Sequence, residues 1–394
     1  MRTLPSTVWR LTLAFSLMMA GTSLLVLIAG IIGTAIAPSA GLATLPVALT
    51  VVGVATSTLP TGKLLSRHGR RRVFLAYALL AIGSALLAAA SLVHGTFAGF
   101  CTAGFLLGWA AAAGHQYRFA ALESVPAHLA PKATSALLLG GLLGAFIGPE
   151  LAVRGRWLSS TEYAGSFMLL ACAYLLGLVI LSFYHDSGVR REEHLEGGRP
   201  IGTILRSQPV LLAIGAAGMA YAVMSFIMTA TPISMHQHSG HSLEATKVVI
   251  QSHIAAMYLP SLAYGLLFDR LGIKGMLWAG VLALAATLLV ALLGTHIFNY
   301  WLALMLLGLG WNFLFLTGTN LLPYGYRREE RFRVQSTNDF LVFSVQALVV
   351  LSSGWVLYEW HWQGLLWLCL PPLGLFMVVL LRINLSGLTS TKPS

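Results

Sequence analysis

Apolar runs of about 20 residues follow one another along the whole of this 394-residue chain. Each can cross a hydrocarbon core of about 30 Å as a helix rising about 1.5 Å per residue. The runs fall at 10–36, 41–61, 73–93, 97–120, 133–153, 164–184, 209–233, 246–268, 275–294, 298–322, 336–358 and 363–384. The chain is 57% hydrophobic and only 9% charged, whereas a soluble domain carries roughly 25% charged residues. It has too little polar surface to cover itself in water. The expected fold is an all-α integral membrane protein with twelve transmembrane helices, the lipid bilayer as its constant partner and no soluble domain left over.

A net charge of +11 would suggest a nucleic-acid partner in a soluble protein. Here the placement of the charge speaks to topology instead. With a cytoplasmic N-terminus, every Lys and Arg except Arg154, Arg156 and Lys247 falls on the cytoplasmic side, a strong positive-inside bias. Both termini are therefore expected in the cytoplasm, in a bacterial cytoplasmic (inner) membrane, with no nucleic acid bound. The first run follows Arg2 and Arg10, is too long for a signal-peptide core and carries no evident cleavage site, so it counts as the first span. Cys101, Cys172 and Cys369 lie inside spans without C-x-x-C spacing, which indicates neither a disulfide framework nor a thiolate metal site.

The longest polar stretch between spans runs from His185 to Gln208 and separates six helices from six. The expected organisation is an N-terminal six-helix bundle at 1–184, a cytoplasmic linker at 185–208 and a C-terminal six-helix bundle at 209–394. A short internal repeat supports it. After the second span the chain reads Gly62-Lys-Leu-Leu-Ser66-Arg67-His68-Gly69-Arg70-Arg71, and after the eighth Gly265-Leu-Leu-Phe-Asp269-Arg270-Leu271-Gly272-Ile273-Lys274. Both copies fit G-x-x-x-[D/S]-R-x-G-x-[K/R], at the same place in each half.

That doubled loop resembles the signature of the major facilitator superfamily, and the likeness spans essentially the whole chain. It implies two pseudo-symmetric six-helix bundles, secondary transport by alternating access, and a latching role for the loop acid. Asp269 keeps that acid, whereas the first copy has Ser66 in its place. In the fifth span Gly140, Gly144 and Gly148-Pro149 put glycine at every fourth position. This small-residue face permits close helix packing, and Pro149 bends the outer end. It also resembles the superfamily's antiporter-associated G-x-x-x-G-P motif, although Glu150-Leu-Ala-Val follows where a glycine pair is expected, so antiport does not follow.

Two patterns on consecutive spans point to cargo: Met224-Ser-Phe-Ile-Met228 and His253-Ile-Ala-Ala-Met257. Four-residue spacing stacks each pair on one helix face. Counted along antiparallel helices, Met224 lies roughly 20 Å above the inner end of its span and His253 roughly 10 Å below the outer end of its own, so the depths nearly coincide. Thioether and imidazole without carboxylate form a soft donor set that suits Cu(I), and a His inside a membrane bundle marks a functional site. Methionines also fill irregular apolar gaps, so from the residues alone the stripe is open to either reading. The loop between the spans adds Met235, His236, His238 and His241 at the outer mouth, where they are candidates to capture metal or simply to be solvated. Glu150 is a candidate proton-coupling carboxyl near the outer side, and its alternative is an interfacial carboxylate beside Arg154.

The M-x-x-x-M and H-x-x-x-M pair resembles the CcoA-like branch of the superfamily, which contains bacterial copper importers. Tyr117-Arg118-Phe119 and Asn338-Asp339-Phe340 are also similar to that branch. The resemblance implies Met224, Met228, His253 and Met257 as copper ligands, with copper as substrate rather than cofactor, arriving as the ion or on a small carrier and leaving to a cytoplasmic chaperone. Riboflavin carriage by some members of the branch keeps an organic cargo, or a drug, as the alternative. A non-transporting metal sensor or assembly partner is the other. No catalytic constellation or nucleotide fingerprint is present, so an enzyme is not expected. A monomer is.

Overall fold

The computed structural model describes residues 4–126, 129–185, 198–327 and 330–383. The middle of the expected linker, 186–197, lies outside them. The helices are α1 Ser6–Ile36, α2 Leu45–His68, α3 Arg70–Val93, α4 Phe97–Glu123, α5 Ala130–Gly155, α6 Ala164–Ser182, the short α7 Ile201–Leu205, α8 Gln208–Ile233, α9 Leu243–Tyr258, α10 Tyr264–Leu292, α11 Ile297–Leu321 and α12 Arg331–Arg382. All twelve apolar runs fall on helix, the eleventh and twelfth together on α12. Nine helical segments among the described residues are long and apolar enough to cross a membrane. The chain forms two compact units, Met1–Arg191 with Pro232–Gln251, and Glu192–Thr231 with Ser252–Ser394. The end of the seventh span and the first turns of the eighth thus belong to the first unit.

The repeated loop uses the same backbone device twice. Gly69 joins α2 to α3 at φ 77°, ψ 162°, and Gly272 breaks α10 at φ 63°, ψ −179°. Only glycine adopts that region without strain, which explains why both copies carry glycine there. A third joint of this shape stands inside α12 at His361, φ 56°, ψ −174°, where an L side chain bears the cost. The eighth span departs from a continuous helix. Pro260 has no N–H to give and disfavours helical backbone at Leu259. The chain accordingly leaves α9 at Tyr258, makes a 3₁₀ turn over Leu259–Leu262 and restarts as α10.

In the first unit α5 lies against α1 through its glycine face. A Cβ on Gly140, Gly144 or Gly148 would stand 2.6, 2.5 or 2.1 Å from the carbonyl oxygens of Thr12, Ser16 and Ala20. Two faces of period four therefore meet backbone to backbone, and Ser23 Oγ donates across the seam to Gly144 O at 2.9 Å. The C-terminal carbonyls of α6 are satisfied by cations. Arg71 Nη2 donates to Ser182 O at 2.9 Å and Arg10 Nη1 to Phe183 O at 2.7 Å, which also complements the negative end of the helix dipole. Tyr117 is fully buried, edge-on to Phe74 at 4.6 Å.

In the second unit α11 is the hub. Gly308 faces the backbone of α9 at His253, Gly310 meets the backbone of α10 at Gly280, and Gly318 meets α8 at Ala213. Within this unit Arg199 clasps Glu330 at the start of α12. The buried carboxylate accepts from Arg199 N at 2.7 Å, Arg199 Nε at 2.9 Å, Arg199 Nη2 at 2.7 Å and Arg327 N at 2.8 Å. Arg199 Nη2 also donates to Gly325 O at 3.0 Å, and Arg333 donates to Arg199 O. Bonding to Arg199 holds the Glu330 carboxyl down to about 2.

Two predictions follow from this packing. Gly144→Leu drives a side chain into the Ser16 carbonyl and destabilises by at least about 1–3 kcal/mol, whereas Gly83→Ala, with open space around it, leaves the melting temperature in detergent unchanged or raised; equal losses would refute the close-packed seam. The clasp gives the second. A depressed folded pKa contributes stability above the ordinary value of 4.5 and loses it as pH falls from there toward about 2. The wild-type melting temperature therefore drops across that window, and Glu330→Gln flattens the drop while lowering stability at neutral pH. Parallel curves would count against the clasp.

Candidate functional site

Met224 and Met228 on α8, and His253 and Met257 on α9, are all buried and belong to the second unit. His253 Nδ1 lies 2.7 Å from Leu304 O on α11. A carbonyl only accepts, so Nδ1 carries the proton and Nε2 the lone pair. That Nε2 is buried without a hydrogen-bond partner. Orientation of an imidazole by a backbone carbonyl, with the other nitrogen left open, is the arrangement of a metal-ligating His. Among the described residues no three His, Cys, Asp or Glu side chains stand together as a metal centre, and the donor set at issue here relies on thioethers. Met224 Sδ is 3.8 Å from Ser225 Oγ, which in turn accepts from Gln346 Nε2 at 2.8 Å.

The seam between α9 and α11 repeats every four residues: His253, Met257 and Ser261 face Leu304, Gly308 and Asn312. Gly308 carries no side chain because a Cβ there would stand 2.6 Å from His253 O. Asn312 Nδ2 donates to Met257 O and to Ser261 Oγ, each at 2.7 Å. It serves backbone at the helix end disturbed by Pro260, a task that lipid cannot perform. Sequence alone marks Asn312 only as a polar residue inside a span.

Met235, His236, His238 and His241 lie in the other unit, on Pro232–Gln251. After Pro232 the helix widens into a π turn, Ser234–His238, closed by Ser239 N donating to Ser234 O at 2.9 Å. Met235 is fully buried, whereas His236 and His241 are half-buried and His238 is exposed. His236 Nδ1 donates to His241 O at 2.8 Å, a contact of ring to backbone rather than ring to ring. The Met235 sulfur therefore belongs to a different unit from the Met224, Met228 and Met257 sulfurs.

The three cations that break the positive-inside pattern are each paired. Arg154 bonds Glu150 at 3.1 Å, Arg156 bonds Glu162, and Lys247 bonds Glu150 at 2.8 Å and Glu244 at 2.7 Å. Glu150, the candidate proton carrier, thus shares its carboxylate between α5 and α9, beside Gln251 Nε2 donating to Phe146 O at 3.3 Å. On the repeated loops Arg67, Asp269 and Arg270 are exposed and Gly62 borders open space, while the Ser66 side chain lies outside the described residues. Arg70 is half-buried, and Gly265 stands in α10, one turn before Asp269.

A group that sequence reasoning missed converges from four helices of the second unit. Tyr221 of α8 lies edge-on to Trp311 at 5.4 Å, Phe315 at 5.4 Å and Phe343 at 5.6 Å. Trp311 stacks on Phe315 at 4.8 Å and 18°, and Tyr258 of α9 lies edge-on to Trp311 at 6.3 Å. Only the Trp311/Phe315 spacing is visible in sequence, as one helix face. Trp311 Nε1 and Asn312 Oδ1 are buried without partners. The cluster offers aromatic faces with a bare donor and a bare acceptor at its margin.

The Asn312 bridge yields a prediction. Asn312→Leu costs about 1–2 kcal/mol in unfolding from mild detergent. Ser261→Ala costs less, and the double variant matches Asn312→Leu, because the serine bond exists only through Asn312. Simple additivity would contradict the bridge.

A family model described as the Major Facilitator Superfamily matches residues 11–350. The chain is 33% identical to the riboflavin transporter RfnT of Brucella anthropi over 381 residues, 96% of each protein. It is also 33% identical over 316 residues to YdeG of Bacillus subtilis, an uncharacterised transporter of the same type, covering 76% of this chain and 73% of that one. A solved bacterial homologue of the human lysosomal transporter Spinster, in an inward-facing and unoccupied conformation, shares the fold with a TM-score of 0.69 at 15% identity, over 88% of this chain and 81% of its own. With the model spanning most of the sequence and a relative matched along nearly its full length, this chain belongs to the major facilitator superfamily: it is a multi-pass membrane transporter and not an enzyme.

Proposed function

We propose that this transporter carries riboflavin or a closely related planar heteroaromatic nutrient. The observation that carries the reading is the Tyr221, Tyr258, Trp311, Phe315 and Phe343 cluster, where aromatic faces from α8, α9, α11 and α12 converge. Flat fused rings gain from stacked and edge-on aromatic contacts beyond the area they bury. A relative matched over 96% of both chains and named a riboflavin transporter supports the same cargo. This reading takes up the organic alternative opened by the sequence and sets it ahead of copper, since the relative matched along nearly its whole length is named for riboflavin.

Copper remains the second reading, on one specific observation. His253 is held by Leu304 so that a buried, unpartnered Nε2 is available, and Met224, Met228 and Met257 are buried in the same unit. In that case the soft site would take Cu(I) as cargo.

Uptake of radiolabelled riboflavin by an auxotrophic, transporter-less strain tests the first reading. Wild type is expected to accumulate the label above empty vector, Trp311→Ala to lose most of it, and Met224→Ala/His253→Ala at matched expression to retain it. Accumulation of copper but not riboflavin by wild type, abolished in the Met/His double variant, would replace the first reading with the second.

A further inference from the structure

Asn312 has an unambiguous orientation. Both protons of Nδ2 are committed, to Met257 O and to Ser261 Oγ. A flipped amide would set oxygen against the Met257 carbonyl oxygen. Its Oδ1 is therefore a pure acceptor, and it is buried with nothing donating to it. The preceding residue supplies the converse. Trp311 Nε1–H can only donate, is equally buried and has nothing accepting from it. The two residues are 1% and 5% exposed, so neither polar atom is satisfied by bulk water. They meet one local neighbourhood, since the Trp311 ring packs on Tyr258 while the Asn312 amide bonds the carbonyl of adjacent Met257. Nine buried side-chain polar atoms among the described residues lack a partner, and only Trp311 and Asn312 set a bare donor and a bare acceptor at consecutive residues.

We infer that Trp311 Nε1–H and Asn312 Oδ1 read the polar edge of the cargo's ring system, the indole donating to a ring carbonyl and the amide oxygen accepting a ring N–H. The inference rests on the heteroaromatic reading above and narrows it to rings bearing an imide or lactam edge. The isoalloxazine of riboflavin has one, a ring N–H flanked by two carbonyls. Aromatic faces from Tyr221, Phe315 and Phe343 then hold the flat body while the α11 pair selects its edge. A soft metal ion has no use for this pair, because an indole N–H offers no lone pair and an amide oxygen is a hard donor.

Equilibrium binding to purified wild type in detergent, read by quenching of flavin fluorescence, provides the test. Riboflavin is compared with its derivative methylated on the imide nitrogen, and wild type with Trp311→Phe, which keeps a ring and removes only the N–H. The methylated flavin is expected to bind wild type at least about tenfold more weakly. Trp311→Phe is expected to weaken riboflavin at least about tenfold while its melting temperature stays at the wild-type value. The wild-type comparison of the two flavins stands even if the variant fails to fold. Equal affinity of wild type for both flavins, with Trp311→Phe unchanged, overturns this assignment and leaves riboflavin as cargo. No binding of either flavin by wild type overturns the cargo reading and this inference together.

Discussion

Backbone-to-backbone approach at glycine is the contact on which the other features of this protein rest. In lipid the helices gain little from burying apolar side chains against each other, because the solvent is itself apolar. Association must come from close packing and from polar bonds that open up when helices touch. The Gly140, Gly144 and Gly148 face of α5 brings the carbonyls of α1 within reach and allows Ser23 to bond Gly144. On α11 the glycines at 308, 310 and 318 face α9, α10 and α8 in turn. The first of these brings α9 close enough for His253 to reach Leu304 and for Asn312 to reach Met257.

Polar satisfaction is the second constraint. At several helix ends a side chain from elsewhere bonds the freed backbone. Pro260 interrupts the eighth span, and Asn312 serves the carbonyl of Met257. The carbonyls ending α6 meet Arg10 and Arg71, and the chain returning at Arg199 is fixed by Glu330. The cations Arg154, Arg156 and Lys247 are each paired with a carboxylate. Nine buried side-chain polar atoms among the described residues lack a partner, and three of them stand at the candidate sites: His253 Nε2, Trp311 Nε1 and Asn312 Oδ1. They border the aromatic cluster and the Met/His face, so the two cargo readings compete for neighbouring parts of one unit.

Much of the architecture was legible because its signals are local. Helix length and apolar continuity locate the spans. The repeated loop marks Gly69 and Gly272 because both occupy a conformation that other residues avoid. Glycine at every fourth position announces a packing face without saying which helix it meets. Less was visible around the candidate site. Met224, Met228, His253 and Met257 stand on their expected helices, but nothing nearby in sequence reveals that Leu304 sets the tautomer of His253. Tyr221, Tyr258 and Phe343 are scattered over three helices, and without the fold they are three ordinary interior aromatics.

The sequence by itself determined that this is a helical membrane protein, which stretches of it are apolar spans, and which superfamily its doubled loop resembles. Each of those properties follows from length, periodicity or a backbone conformation confined to a few adjacent residues. Tertiary structure alone decided which polar atoms are satisfied and which remain open. Hydrogen bonds are short and directional, and the partners of Met257, His253 and Glu330 lie 55, 51 and 131 residues away along the chain. The packing of α11 against α9 brings the first two pairs within bonding distance, and it leaves Trp311 and Asn312 with unused capacity at the edge of an aromatic cluster.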